Sequence, residues 1–377
     1  MVTLLYIWTE PVLSPSPKRN IEKLCVSRSV ITANVSSMKN TARYIIDTCV
    51  DQDQCFGWGD RQRAIATTYL ISLLSNRKFG IYMTNPCRLE NFLVPNRVNW
   101  IVNKNELDGL CAKDVYMYYD EAQNFRQHKM IESADFNKLF PEDIVYFHTA
   151  QDYVAAIRRN RLTADMIPWL HRYTIGKAYG YIMRHLFTLN NGTRQTVTDV
   201  FYKHVKDCKL VCAHIRMGDP WSKEAKTPQS ELPLIWNFLN IYNNVSKYKI
   251  YVATDSNETK AQAIKHFRYQ IVDTEGIIDQ MERSKSCDVF RRVIVEQEIL
   301  TRCDVLMLTQ SSLGIIAAFM RNTNMGLYCF FEKRVFPYAQ HKPKEENNNK
   351  SIKTVLKENN TKKYSTNQHT IPDNILI

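Results

Sequence analysis

Short apolar runs alternate with helical patterns through the second half of the chain, and no other pattern in the sequence limits the fold as strongly. The runs have the length of strands, and the stretches between them have apolar residues at helical spacing. A repeated strand–helix order of this kind predicts βαβ units on a parallel sheet. Strands are expected at 209–215, 249–253, 269–272, 305–308 and 326–330, with helices at 232–242, 258–267, 288–302 and 313–320.

The first half shows the same kinds of element less regularly. A helix is expected from Asp60, which can cap it, to about Asn76, and a longer helical stretch covers 164–186. Strands are expected at 79–83, 115–119 and 144–147. The chain is therefore assigned to the α/β class, with its core at about 43–340.

The chain is expected to have four parts, and composition marks the first and the last of them. Residues 1–42 are rich in Pro, Ser, Thr and Lys without periodicity, which is typical of a stem or linker. Between the two ends, we expect residues 43–205 and 206–340 to form two α/β lobes. Residues 341–377 shift to Lys, Asn, Glu and Thr, and predict a disordered basic tail.

Cysteines and glycosylation triplets indicate the secretory pathway. The even number of scattered cysteines, ten in all, suits an oxidising compartment, although pairing cannot be deduced from sequence. Six Asn-x-Ser/Thr triplets point the same way, although Asn-rich chains also produce such triplets by chance. The cysteines are Cys25, Cys49, Cys55, Cys87, Cys111, Cys208, Cys212, Cys287, Cys303 and Cys329. The triplets begin at Asn34, Asn191, Asn244, Asn257, Asn349 and Asn359.

The chain ends and the net charge leave several partners open. Met1 to Trp8 is apolar but too short for a membrane span and lacks a basic region, so no membrane anchor is visible, and the completeness of the N-terminus stays open. The net charge of +12 suits a nucleic acid, an anionic membrane or a phosphorylated substrate. Nucleic acid is disfavoured because the basic tail lacks Arg and the Tyr-rich segment 116–119 lies in a predicted strand.

Polar side chains follow three of the predicted strands directly. Carboxyl ends of parallel strands share one edge of a sheet, where ligands bind in α/β folds. A fixed cation there can hold a diphosphate and the charge that grows as it leaves, and a helix start offers N–H groups to phosphate. The residues are His214 and Arg216 at the end of the first strand, Asp255 after the second, and Ser311 and Ser312 before the last helix.

Each of these residues also has a purely structural explanation. His214 could be a core histidine, Arg216 could form a surface ion pair with Asp219, and the two serines could only cap a helix. Their position at successive strand ends favours the functional interpretation, because a nucleotide-diphosphate site needs these groups at one edge.

Two segments of the chain carry a family resemblance. His214-Ile-Arg-Met-Gly-Asp219 resembles the H-x-R-x-G-D motif of the fucosyltransferase superfamily, which includes α1,2-, α1,6- and protein O-fucosyltransferases. Val252-Ala-Thr-Asp255 is similar to its second motif, a strand that ends in Ala-Thr/Ser-Asp. The resemblance runs in order over about 55–330 and is strongest from 209 to 320.

Two further segments extend this resemblance. In the superfamily, a carboxylate precedes the second Ser of a Ser-Ser pair by sixteen residues, with Ala-Asp or Cys-Asp halfway; Glu296, Cys303-Asp304 and Ser311-Ser312 have this spacing. Gly57-Trp-Gly-Asp60 is similar to the superfamily's Gly-x-Gly-Asn/Asp turn before a helix. Glu296 and Asp60 depart from the more common Asp and Asn.

The resemblance implies a fold and a reaction. The fold would be GT-B-like, with two Rossmann-like lobes and a nucleotide-sugar cleft between them. The lobe at 43–205 would face the acceptor, and the lobe at 206–340 would bind GDP-fucose. Fucose would move to a glycan or glycoprotein hydroxyl with inversion, and no metal or other cofactor would take part.

The resemblance also implies roles for ten residues. Arg216 would hold the β-phosphate and stabilise the leaving group, with His214 assisting at the phosphate or ribose. Glu296 would accept hydrogen bonds from the guanine edge, and the two serines would bind phosphate. Asp60 would be an acceptor contact, the general base or only a helix cap. The substrate-binding candidates are Gly57, Gly59, Asp60, Arg61, His214, Arg216, Asp255, Glu296, Ser311 and Ser312, and the catalytic candidates are Arg216 and Asp60.

Other functions have weaker support. Asp51-Gln-Asp53 matches the D-x-D pattern of Mn²⁺ sites, but the pattern is very short. His204, Cys208, Cys212 and His214 have the count for zinc, although a disulfide or core thiols explain the cysteines better. A transferase-like protein that binds a glycan or nucleotide without turnover is the main alternative to an enzyme, because a fold does not guarantee function.

Overall fold

The computed structural model describes residues 42–50, 55–117, 121–218, 227–274, 276–281 and 284–338, with no side-chain description for 121–124. Nearly all of the predicted stem and the whole predicted basic tail lie outside these residues. Asp51, Asp53 and Asp219, which carry the D-x-D pattern and the end of the H-x-R-x-G-D motif, lie outside them as well.

A four-stranded parallel sheet forms the first half of the fold, in the order β2-β1-β5-β4. A two-stranded antiparallel sheet pairs β3 with β6. The strands are β1 (Tyr44–Cys49), β2 (Lys78–Met83), β3 (Leu93–Pro95), β4 (Ala112–Met117), β5 (Ile144–Thr149) and β6 (Phe187–Leu189).

A six-stranded sheet forms the second half, in the order β12-β11-β10-β7-β8-β9. Its strands are parallel except for β12, which pairs antiparallel with β11. The strands are β7 (Lys209–Ile215), β8 (Tyr248–Thr254), β9 (Ile271–Val272), β10 (Val305–Leu308), β11 (Leu327–Phe331) and β12 (Arg334–Pro337). The predicted α/β class with parallel sheets is confirmed, while the division into two lobes with a cleft stays a prediction.

Twelve α-helices of the described residues pack around these sheets. They are α1 (Trp58–Leu74), α2 (Glu121–Ser133), α3 (Phe136–Leu139), α4 (Val154–Arg159), α5 (Thr163–Met166), α6 (Pro168–Arg172), α7 (Ile175–Leu186), α8 (Asn191–Val200), α9 (Leu232–Asn240), α10 (Asn257–His266), α11 (Cys287–Thr301) and α12 (Ser312–Met320). None of the helices described is both long enough and apolar enough to cross a bilayer.

The prediction of one long helix at 164–186 is wrong. Three separate helices, α5, α6 and α7, cover this region. Pro168 occupies the first turn of α6, where its missing N–H costs nothing, so the ring begins a new helix instead of continuing one. Thr174 then caps α7 by accepting a hydrogen bond from the Lys177 backbone N–H.

Strand β1 is an inner strand of the first sheet, and the sequence did not predict it. Its apolar pattern is interrupted by Asp47, which is buried on the strand and accepts a hydrogen bond from Thr68 in α1 at 3.1 Å. Burial raises the pKa of Asp47 to about 8. Buried carboxyl groups are rare, so an aspartate in a short apolar run usually indicates a loop. Here the segment is a core strand, which is why the sequence pattern did not predict it.

Two other predicted elements differ at their ends, and one strand was not predicted. The strand expected at 115–119 is β4 at Ala112–Met117, with residues 118–119 outside the described part, and the strand expected at 269–272 is reduced to β9. Strand β12 was not predicted, since it follows β11 after a two-residue turn of positive φ at Glu332 and Lys333. The remaining elements of the second half agree with the prediction to within about two residues, the usual uncertainty of helix and strand ends.

One continuous apolar core joins the two sheets. Helix α1 of the first half contacts α11 and α12 of the second, and α7 packs against α12. A Cβ on Gly180 would lie 2.3 Å from the carbonyl oxygen of Phe319, so only glycine permits α7 to approach α12 this closely. The close packing fixes the start of α1 against the second sheet, where the candidate site lies.

Three disulfides lie among the described residues: Cys49–Cys55, Cys87–Cys287 and Cys212–Cys303. Cys111 is disulfide-bonded as well. Cys87–Cys287 joins residues 200 positions apart in the two halves. Multiple disulfides are typical of proteins that fold in oxidising compartments.

Thiol titration provides the first test of this pairing. Cys208 and Cys329 are free in the described part of the chain, and Cys25 lies outside it. We therefore expect at most three reactive thiols when the protein is denatured without reductant and titrated with a thiol reagent. Full reduction before titration is the control and should expose all ten cysteines. Significantly more than three thiols without reductant would contradict the disulfides.

Candidate functional site

A cavity of about 250 Å³ opens at the carboxyl edge of the second sheet. It is lined by residues from both halves of the chain, and nine of the ten predicted site residues contribute to it. These nine are Gly57, Gly59, Asp60, His214, Arg216, Asp255, Glu296, Ser311 and Ser312.

The order of the second sheet explains why these residues meet. Strand β7 lies between β10 and β8, so the three strands that end in polar residues are direct neighbours. In register, His214 pairs with Leu308 and Ile215 pairs with Thr254. The segments that follow the three strands therefore start side by side, as expected from the alternating pattern.

Asp255 organises the segment after β7. Its carboxylate accepts hydrogen bonds from Arg216 Nη1 at 2.9 Å, from the Met217 N–H at 2.8 Å and from the Gly218 N–H at 3.3 Å. Gln280 adds a fourth, from Nε2 at 3.2 Å. The Arg216 side chain is 21% exposed and that of Asp255 is 9% exposed, so the arginine faces the cavity while the aspartate holds it from behind. A charge-assisted contact of this kind fixes a guanidinium in one position.

His214 is a buried neutral imidazole. Its ring packs against α12, since a Cβ on Gly314 would lie 2.8 Å from His214 Nδ1. Burial lowers the pKa of His214 to about 4, with Asp255 opposing this shift and Arg216 adding to it. Nδ1 has no hydrogen-bond partner among the described residues, although it is buried. The residue lines the cavity, but this nitrogen is buried against α12.

The pKa of His214 predicts an acid-sensitive component of stability. The folded protein binds a proton at His214 less readily than the unfolded chain does, in which this side chain has a pKa near 6.5. The contribution to the free energy of unfolding is therefore complete above about pH 6.5 and is lost as the pH falls to about 4. We expect His214→Gln to make the free energy of unfolding less dependent on pH in this range, measured by urea unfolding at a series of pH values. Parallel curves for both proteins would rule the effect out.

Two helix starts meet at the cavity wall. Helix α1 begins after Gly57 and α12 begins after Ser311, and neither cap residue makes a side-chain capping hydrogen bond. The first N–H groups of a helix have no partner within the helix, and the helix dipole is positive at this end. Two such ends on one cavity wall form a favourable environment for a diphosphate.

Gly59 permits this meeting. A Cβ at Gly59 would lie 2.5 Å from the Leu313 backbone nitrogen and 2.6 Å from the Ser312 carbonyl carbon. The glycine is therefore required because the two helix starts touch there.

Asp60 links the same two helices. The Ser312 hydroxyl donates to Asp60 Oδ1 at 2.8 Å, and Arg63 lies 3.5 Å from the same oxygen. The helix cap expected at Asp60 is wrong, because Gly57 occupies the cap position. Because the Ser312 hydroxyl donates its proton to Asp60, it cannot donate the same proton to a phosphate. A phosphate beside Ser312 would instead accept hydrogen bonds from backbone N–H groups.

Glu296 lies at the far wall, bonded to Arg292. Arg292 Nε lies 3.0 Å from Glu296 Oε1, and both side chains are almost fully buried. Burial raises the pKa of Glu296, while Arg292 and Lys260 lower it. Arg292 in turn donates to the carbonyl oxygens of Thr274 and Gly276, which anchors it behind the cavity. The carboxylate is thus held in one orientation, as recognition of paired N–H donors requires.

Arg61 does not line the cavity, which corrects its place among the substrate-binding candidates. Its Nε donates to the carbonyl oxygens of Cys55 and Phe56 at 3.1 and 3.0 Å, and its Nη1 donates to the carbonyl oxygen of Asn85. The side chain is buried. Arg61 therefore supports the segment before Gly57 from behind, because a guanidinium can bind several carbonyl groups at once.

Several residues in or beside the cavity have no signal in the sequence. Gln297 accepts from Trp58 Nε1 at 2.8 Å and from Gln62 Nε2 at 2.9 Å, and donates to the Leu313 carbonyl oxygen at 3.3 Å. This amide cluster joins α1, α11 and α12. Gln280, which bonds both Asp255 and the Gly218 carbonyl, lies in an irregular segment without periodicity. Only Trp58, between two glycines of the recognised turn, could have been suspected.

Of the two metal sites considered from the sequence, the described residues include the candidate zinc ligands but not the D-x-D pair. Cys212 is bonded to Cys303, so its thiolate is not available to zinc. Among the described residues no cluster of three or more His, Cys, Asp or Glu side chains could hold a metal ion. The D-x-D aspartates lie outside the described part.

Comparison with known proteins rests on structure, since no protein-family model and no curated protein matches the sequence. NodZ, an α1,6-fucosyltransferase of Bradyrhizobium, in a crystal soaked with GDP-fucose, is similar with a TM-score of 0.50 and 13% identity, over 78% of this chain and 98% of NodZ. A variant of Arabidopsis thaliana FUT1 in complex with GDP gives a TM-score of 0.55 at 12% identity, over 78% of this chain and 71% of that chain. The chain therefore has the fold of these fucosyltransferases.

Proposed function

We propose that this protein is a glycosyltransferase that moves fucose from GDP-fucose to a hydroxyl group of a glycan or glycoprotein. The observation that carries the proposal is one cavity in which Arg216, two uncapped helix starts and a buried carboxylate, Glu296, converge. The arginine and the N–H groups at the helix starts can bind a diphosphate, and the carboxylate can accept hydrogen bonds from a guanine base. The solved structures of the same fold include one crystal soaked with GDP-fucose and one complex with GDP.

The diphosphate is the leaving group in this proposal. As the bond between the sugar and the β-phosphate breaks, negative charge grows on the phosphate oxygens. Arg216 is already oriented by Asp255, so it can stabilise this charge without reorganising. The backbone N–H groups at the starts of α1 and α12 contribute fixed positive dipole ends. The fucose carbon, with an oxocarbenium-like charge, is then attacked by the acceptor hydroxyl from the opposite face, which gives inversion.

Asp60 is our candidate for the general base, the carboxylate that takes the proton of the acceptor hydroxyl. Its side chain is 28% exposed on the cavity wall, compared with 9% for Asp255 and 7% for Glu296. Asp60→Asn should lower transfer to an acceptor and leave GDP affinity nearly unchanged, because the amide keeps the contact with Ser312 but cannot take a proton. Transfer kinetics and GDP titration measure the two effects separately. Unchanged transfer would remove Asp60 from the reaction.

The secretory pathway is the compartment we propose for this activity. The disulfides among the described residues require oxidising conditions to form and persist. The asparagines of the triplets at Asn191, Asn244 and Asn257 are exposed, which is compatible with glycosylation in that pathway.

The proposal is tested by a panel of nucleotide sugars on the purified full chain, with and without EDTA. We expect GDP-fucose to bind saturably and to be hydrolysed slowly in both conditions, because the described cavity supplies its cation from Arg216. Binding of another nucleotide sugar would show that the donor is wrong. Loss of turnover in EDTA would refute metal independence. Binding without hydrolysis or transfer would favour the alternative of a binding protein.

A further inference from the structure

A second cavity lies against the same helices as the first. It has a volume of about 310 Å³ and is bounded by α1, α7, α8, α11, the end of α12 and the β3–β6 pair. Trp58 lines both cavities, so this side chain belongs to the wall between them. None of the ten predicted site residues lines the second cavity. Its size is in the range of small-molecule sites.

The charged groups around the second cavity are mostly cationic. Its ionisable lining residues are Arg184, Arg194, Arg302 and Glu298. Arg184 lies in α7, Arg194 lies in α8, and Arg302 directly follows α11, which contains Glu298. Their proximity is therefore a product of tertiary packing. Three guanidinium groups against one carboxylate give a local excess of two positive charges, which attracts an anion.

The contacts of the three arginines leave capacity for a ligand. Arg184 uses Nη1 to bond the Met320 carbonyl oxygen at 2.7 Å. Arg194 uses Nη2 for Thr188 and Leu189, both at 3.0 Å. Arg302 uses Nε and Nη2 for Glu298. A guanidinium has three nitrogens, so within the described residues each arginine keeps at least one nitrogen for a ligand while its position is fixed.

The rest of the cavity is apolar and contains aromatic rings. Leu93 and Ile294 are buried, and Trp58 and Phe187 lie with ring centroids 6.3 Å apart. Their surfaces suit the flat or apolar face of a ring, since aromatic side chains bind such faces with large contact area. The cavity thus combines a hydrophobic floor with a cationic rim.

We propose that the second cavity binds a small anionic molecule whose ring lies on the floor with Trp58 and Phe187 and whose acidic group is held by the arginines. The ligand class is an acidic glycoside or a phosphate ester of similar size. The proposal is independent of the proposed function, because none of the three arginines lines the first cavity.

The test is calorimetric titration of the full chain with three ring-bearing probes. These are 4-nitrophenyl β-glucuronide, 4-nitrophenyl phosphate and the neutral 4-nitrophenyl β-glucoside. We expect at least one anionic probe to bind saturably and the glucoside to bind about tenfold or more weakly, because hydrogen bonds to charged groups are the strong ones. The anionic probe that binds more tightly identifies the acidic group. Binding of neither anion, or equal binding of the glucoside, would overturn the proposal.

Matched variants locate the binding. Arg194→Gln and Arg302→Gln should each weaken the anionic probe by about tenfold, with thermal unfolding as a check that they fold. Arg216→Gln removes one charge from the first cavity, and Arg268→Gln removes one from an exposed surface position, so both should leave the affinity unchanged. Equal weakening in either control would show that the anion binds elsewhere or through net charge alone.

Discussion

Replacing Arg216 by alanine should lower turnover of GDP-fucose by about 10²–10³, the usual cost of removing one preorganised donor at a developing oxyanion. The side chain faces the cavity from a position fixed by Asp255 at 2.9 Å. The variant should still fold, because the backbone N–H of residue 216 keeps its bond to Thr309 Oγ1. Asp255 also keeps the Met217 and Gly218 N–H groups. Steady-state hydrolysis and thermal unfolding are the two measurements.

Arg216→Lys is the matched control for this prediction. Lysine keeps the positive charge but lacks the planar fork, so we expect turnover between that of the alanine variant and the wild type. Near-normal hydrolysis in Arg216→Ala, with the unfolding midpoint unchanged, would end the role that we propose for this residue. Equal losses in both variants would show that fork geometry, not charge alone, matters.

Gly59→Ala should destabilise the protein and weaken donor binding together. The added Cβ would overlap the backbone of α12 at 2.5 and 2.6 Å, and backbone atoms cannot move aside as a flexible side chain can. Overpacking of this kind costs about 1–3 kcal/mol, which is a large part of a typical folding free energy. Because the two helix starts must separate, the N–H groups that would face a diphosphate also separate. Urea unfolding and GDP titration measure the two losses.

Gly192→Ala is the control for the effect of the methyl group itself. Gly192 also lies in the first turn of a helix, α8, but the nearest atom to its added Cβ would be Asn190 Oδ1 at 3.7 Å, an ordinary contact. Alanine favours helices over glycine by up to about 1 kcal/mol, so this variant should be neutral or more stable. If both variants had the same stability, the close approach at Gly59 would not be the cause.

The second half of the fold was predictable because its signals are local. Residues 210–213 of β7 and the whole of β10 are apolar runs with buried residues on both faces, and each strand is followed by a helical pattern. The first half contains a buried carboxyl group on β1 and a proline within 164–186, so its local pattern does not match its elements. Prediction failed where a single polar or cyclic residue was accommodated by packing.

Most of the candidate site was also predictable, for a topological reason. In a parallel sheet every strand ends at the same edge, so residues that follow neighbouring strands meet without any knowledge of packing. Arg216, Asp255 and Ser311 are separated by many residues in sequence but line one cavity. Arg61 shows the limit of this reasoning, since adjacency to a motif did not show which way its side chain points.

The sequence by itself determined the α/β class, the order of the second half, and the residues at the strand ends, because strand periodicity and strand direction are local properties of the chain. The tertiary structure alone decided how α1 approaches α12, how Gln297 joins three helices, and which cysteines pair. It also decided how Arg184 of α7, Arg194 of α8 and Arg302 after α11 gather around the second cavity. These features depend on contacts between segments up to 252 residues apart, as in the bond between Asp60 and Ser312. Such contacts arise only when the whole core has packed, so no local pattern can encode them.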